Sequence, residues 1–166
     1  MPISEFSYNP PGGIAEPDPF ERPSNAEFSA LMDTWGVTTE ALVQAMVREP
    51  RAPQGQVAKE QLAQVIAEAR QGGGALPENL YGKLVTLNAS MLGLIEDLVK
   101  ANAHHPAVEI VLPRSDAELL STTPGFFDIS SFGALPVTAA TLRIANLIIG
   151  RRLQAAGVDV HFCFPS

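Results

Sequence analysis

The chain has 166 residues, 46% of them hydrophobic and only 17% charged, so it can bury a real core and is not disordered as a whole. A formal charge of −7 and a pI of about 4.9 oppose the dense phosphate contacts of nucleic-acid binding, and nucleic acid is not expected as the main partner. The single cysteine, Cys163, excludes an intramolecular disulfide and a multi-cysteine zinc site within the chain.

Residues 1–23 read as a proline-rich extended arm. Pro10, Pro11, Pro17, Pro19 and Pro23 forbid a helix and bias their neighbours to extended geometry. The arm cannot form a core alone, yet it carries Ile3, Phe6, Tyr8, Ile14 and Phe20 at wide spacing, a pattern suited to lying along another surface. Its first residues, Met1-Pro2-Ile3-Ser4-Glu5, lack the basic and apolar regions of a secretory signal, so cytoplasmic synthesis is the expectation.

A helical part follows over 24–104. Ser24-Asn25-Ala26-Glu27 is a capping box, and Phe28, Leu31, Met32 and Trp35 recur at helical spacing before Gly36. Thr38 or Thr39 can cap a second helix with Leu42, Met46 and Val47 inward, ending before Pro50. A third is predicted from about Gln56 to Gln71, with Ala58, Leu62, Val65, Ile66 and Ala69 on one face and Gly72-Gly73-Gly74 as its stop.

The fourth helix has the longest pattern. Pro77 suits its first turn, and Leu80, Leu84, Leu87, Met91, Leu94 and Leu98 alternate spacings of four and three. A second stripe of Tyr81, Val85, Leu92, Ile95 and Val99 lies beside the first, and so wide an apolar face calls for neighbours on more than one side.

Past His104-His105-Pro106 the character changes. Val108 to Leu112 reads as a strand, Ser115-Asp116-Ala117-Glu118 as a capping box for a short helix, and Thr122 to Pro136 as an irregular loop. Thr138 then caps a helix through Leu142, Ile144, Ala145, Ile148 and Leu153 to Gly157. Val158 to Phe164 alternates with period two, predicting a strand with Val158, Val160, Phe162 and Phe164 buried.

These elements describe a mainly α protein with a small α/β C-terminal part. An arm (1–23) precedes a bundle of about four helices (24–104), and a strand-helix-strand unit (105–166) packs on that bundle. The two strands can pair in parallel across the helical crossover, but two strands make a poor sheet. Further strands from the 122–136 loop, the arm or another chain are expected to complete it. No apolar run approaches the ~18 residues of a membrane span. The stretch Ile144 to Ile149 is broken by Asn146 and followed by Gly150-Arg151-Arg152.

Little in the chain points to chemistry. His104 and His105, adjacent at a helix end, project about 100° apart and suit the negative pole of that helix better than a shared metal ion. His161 and Cys163 stand at i, i+2 on one strand face, a usable ligand spacing, but other ligands must come from elsewhere, and a buried small hydrophobe is the ordinary role of such a cysteine. Glu96-Asp97 suit a solvated helix face, and Arg151-Arg152 suit the end of a helix. Gly72-Gly73-Gly74 lacks the lysine and hydroxyl of a phosphate loop, and no Gly-x-Ser-x-Gly elbow surrounds Ser121 or Ser130-Ser131. Asn88-Ala89-Ser90 matches a glycosylation sequon but falls mid-helix.

No catalytic residue, cofactor or metal is therefore assigned. The organisation favours a non-enzymatic structural or assembly subunit of a large complex, such as a virion-like particle, that binds homo- or hetero-oligomeric protein partners through Phe6, Tyr8, Phe20, Phe162 and Phe164. Two alternatives are a small enzyme with a site near His161, Cys163 and the 122–136 loop, and an adaptor that captures a protein partner.

Overall fold

A computed structural model of the chain describes residues 24–47, 55–75, 78–122, 135 and 137–166. The arm with Phe6, Tyr8 and Phe20, together with Pro77 and most of the 122–136 loop, lies outside them. The described elements are α1 (Asn25–Thr34), α2 (Thr39–Val47), α3 (Gln56–Arg70), α4 (Glu78–Asn102), β1 (Ala107–Val111), α5 (Asp116–Thr122), α6 (Ala139–Ala155) and β2 (Asp159–Cys163). The fold is mainly helical, with a two-stranded parallel sheet near the C-terminus.

Local signals place the helix ends. The hydroxyls of Ser24, Thr38, Ser115 and Thr138 accept from the backbone amides of Glu27, Ala41, Glu118 and Thr141, each satisfying a donor that the first helical turn leaves unpaired. The return half of the first capping box is used differently. Glu27 accepts from the Tyr81 hydroxyl at 2.8 Å, tying the start of α1 to the start of α4. Burial and the adjoining Glu27 carboxylate both push the Tyr81 phenol upward.

Trp35 joins three helices. It follows α1 with 1% of its surface exposed, its indole N–H donates to Asn88 Oδ1 on α4 at 2.9 Å, and its carbonyl accepts from Thr141 Oγ1 on α6 at 2.7 Å. Thr141 is itself buried, so each polar group in this junction is matched. The turn beside it needs Gly36, whose φ of +61° strains any side chain and whose missing Cβ leaves room for Ala140 and Ile144 of α6.

Along α4, Leu80, Leu84, Leu87, Met91 and Ile95 are buried against α1 and α6, and each contributes roughly 1.5–3 kcal/mol of apolar burial. The seam departs from the heptad reading in its second half. Ile95 is buried, whereas Leu94 is half-buried and Leu98 is 37% exposed. Leu98 stands about five turns from the buried Leu80 and so on the same side of the helix, and its exposure reflects the open groove beside the end of α4 rather than a rotated face. Val85 and Leu92 of the second stripe are exposed.

Other expected core positions also shift. In α2, Leu42 is buried with Val43 and Ala45, while Met46 and Val47 are only half-buried. Val65 is 41% exposed, because α3 packs on α1 and α2 along a narrow line through Ile66 and Ala69. Phe164, expected inside, is 62% exposed. It lies past the last paired residue of β2, and its ring instead sits under the Arg114 guanidinium at 5.2 Å.

The strands pair in parallel with Ala107 beside Asp159, Glu109 beside His161 and Val111 beside Cys163. Helix α6 crosses between them and lies flat on the sheet at Gly150. A Cβ there would overlap the Phe162 ring, with Cε1 at 2.6 Å and Ile110 Cδ1 at 3.2 Å. Gly150→Val is expected to destabilise the protein by about 1–3 kcal/mol through overpacking, with Gly150→Ala less harmful, as measured by urea unfolding. Thr141→Val is expected to cost about 1–3 kcal/mol by leaving the Trp35 carbonyl without its donor, visible as a lower thermal midpoint.

Candidate functional site

The parallel register sets the chemistry-bearing residues of the two strands. Side chains alternate across a strand, so Glu109, His161 and Cys163 share the outer face of the sheet. The Cys163 thiol donates to Glu109 Oε1 at 3.2 Å, and this bond to the carboxylate, with some desolvation and the negative charge, pushes the thiol up from its ordinary value. A thiol held protonated is a poor nucleophile and a poor metal ligand. His161 is exposed on the same face.

The remaining polar candidates sit apart from one another. His104 and His105 are exposed in the turn after α4, their tilted rings 4.6 Å apart. Glu96 and Asp97 are exposed on α4, and Arg151 bonds Gln154 along the surface of α6. Among the described residues, no group of three or more His, Cys, Asp or Glu side chains could hold a metal ion. Nor is any helix among them long and apolar enough to cross a membrane.

A polar cleft lies between α2, the start of α5 and the start of α6, lined by Thr38, Glu40, Arg114, Asp116, Thr138 and Arg143 among others. Several of its charged groups serve the fold. Asp116 accepts from the Ala139 amide at 2.7 Å, Arg143 donates to the carbonyls of Pro113 and Arg114, and Arg114 pairs with Glu118. That pairing holds the Glu118 carboxyl below and the Arg114 guanidinium above their ordinary values.

The second concavity has a different character. It is an open cavity of about 320 Å³ between α4, β1 and α6, near the lower limit for ligand pockets. Leu94 and Leu98 form one wall, Leu142, Ile149 and Leu153 the other, and β1 runs along it from Val108 to Val111. Asn102 and Asn146 add polar rim groups.

Beside this groove β1 presents hydrogen-bonding backbone. The Pro106 carbonyl accepts from the Asp159 amide, and the Leu112 amide donates to Cys163, so the even-numbered residues from 106 to 112 face β2. Alternation along a parallel ladder then turns the peptide groups of Ala107, Glu109 and Val111 toward the groove. Asn146 Nδ2 donates to the Val111 carbonyl at 2.8 Å, closing one end of this edge. No strand among the described residues pairs with the rest of it.

No protein-family model, curated protein or solved structure matches the chain.

The structure thus places His161 and Cys163 on one face without joining them to either concavity, and leaves Phe164 exposed beside Arg114. Sequence reasoning missed the groove, because its walls come from α4, β1 and α6, and Leu94 and Leu98 read in the sequence as ordinary seam positions. Glu109 also went unremarked as the thiol's partner. Glu109→Gln should speed alkylation of Cys163 by iodoacetamide several-fold at about pH 8, since removing the carboxylate lowers the thiol's pKa; an unchanged rate would mean that Glu109 does not control it.

Proposed function

We propose that the chain is a non-enzymatic structural or assembly subunit of a large protein complex, a virion-like particle or a similar machine, binding neighbouring subunits through its N-terminal arm and its exposed apolar helix and strand surfaces. One observation carries the reading: the groove joins an apolar wall to a strand edge that no described strand pairs with, the combination by which a folded domain takes up an extended peptide. The arm's sequence supplies spaced apolar residues among prolines, which disfavour a helix. Exposed Val85 and Leu92 on α4, and Leu147 on α6, offer further apolar area for neighbours.

The polar arrangement supports the same reading. The thiol of Cys163 is engaged by Glu109, and the charges of the polar cleft tie down helix ends and loop carbonyls. An adaptor would use the same groove with a transient partner, so stoichiometry separates the two.

Sedimentation velocity of the full chain over a wide concentration range tests the proposal. The subunit reading expects concentration-dependent association that is lost when residues 1–23 are removed, with the helical circular-dichroism signal and the thermal midpoint retained. A compact monomer at every concentration counts against self-assembly, and loss of folding on truncation would make the arm part of the core.

A further inference from the structure

We propose that residues 3–9 of the N-terminal arm add to the open edge of β1 as a third strand, with Phe6 and Tyr8 seated in the groove between α4 and α6. This deepens the assembly reading and rests on it for the arm's role as a docking segment. The edge offers the peptide groups of Ala107 and Glu109 and the amide of Val111, while the Asn146 bond to the Val111 carbonyl marks where pairing stops. An added strand would satisfy groups that otherwise depend on water.

The arm's own sequence selects the window. Proline cannot donate to a ladder, and between Pro2 and Pro10 the residues Ile3-Ser4-Glu5-Phe6-Ser7-Tyr8-Asn9 form the longest proline-free run within 1–23. Seven residues span the five of β1. Phe6 and Tyr8 stand two apart, hence on one face of a strand, and that face can meet Leu94, Leu98 and Ile110 while Glu5 and Ser7 turn to the outer side.

Reach is sufficient. The described chain begins at Ser24, and α1 starts beside the first turns of α4, as the Glu27 to Tyr81 bond fixes. From Tyr81 to Leu98 the helix rises about 26 Å, whereas residues 10–23 can extend for roughly 46 Å. The arm can therefore reach the groove of its own copy, or that of a neighbour in contact with it.

A second copy of β1 fits the same edge poorly. Antiparallel self-pairing centred on Glu109 would set two carboxylates directly opposite one another on one face. It would also bring a whole sheet against the α4 wall, where a single slender segment can lie.

Residue-resolved amide hydrogen exchange on the full chain tests the proposal, comparing it with Phe6→Ala/Tyr8→Ala and, as a control outside the window, Asp18→Ala. The expected result is that the Glu109 and Val111 amides exchange at least about tenfold faster in the double variant, while the Val108 and Ile110 amides, bonded to β2, and the Asp18→Ala variant stay as in the parent. With the arm antiparallel to β1 the Ser7 amide faces that edge, so Ser7→Pro, which removes this donor but no aromatic ring, should reproduce the loss. Fast exchange at Glu109 and Val111 in the parent chain overturns the proposal, and so does protection that survives the double variant, since another segment then covers the edge. Sedimentation of the same samples keeps the two readings apart. Arm-dependent protection in a strict monomer upholds strand addition and removes the assembly role, whereas association without protection upholds assembly and removes strand addition.

Discussion

The helical layer depends on one junction, where Trp35 touches α4 with its ring nitrogen and α6 with its backbone. A large aromatic at 1% exposure supplies apolar burial, but burial alone has no direction. The two hydrogen bonds supply it: they set which turn of α4 and which turn of α6 face the end of α1. Gly36 completes the device, because only a residue without Cβ adopts this left-handed turn so close to Ala140 and Ile144. Helices separated by up to 106 positions in sequence are thereby locked around a shared contact.

From that junction the remaining architecture follows. With the start of α6 fixed against Trp35, its later turns lie over β1 and β2, and Gly150 allows the flush contact with Phe162 and Ile110. Asp116, accepting from the Ala139 amide, sets α5 at the same helix start. Past Met91 it is Ile95 of α4 that is buried, while Leu94 and Leu98 line the groove.

Concave apolar walls and an open strand edge each carry a risk of unspecific binding. An apolar wall recruits partners without specificity, and an open edge recruits strands of any sequence. In the proposed role the two set side by side would be selective, because an occupant must pair in β register and present large apolar side chains at alternate positions. Glu109 at the middle of β1 acts in the same direction by opposing self-pairing. On the outer face that carboxylate also accepts from the Cys163 thiol, and this bond pushes the thiol up from its ordinary value.

The sequence alone determined the local order of this protein. The hydroxyls of Ser24, Thr38, Ser115 and Thr138 mark helix starts, long apolar periodicity marks α4, and strict alternation marks β2, because each signal is complete within a few residues. Parallel pairing across a helical crossover was also open to it as a topological option. What only the tertiary structure decided is how side chains are spent once elements meet. Asn88 resembles part of a glycosylation sequon yet serves Trp35, Glu27 resembles half a capping box yet serves Tyr81, and Phe164 continues a buried alternation yet extends past its last strand partner. Those roles depend on residues 53 or 54 positions away or on where a neighbour ends, and a local pattern contains no record of either.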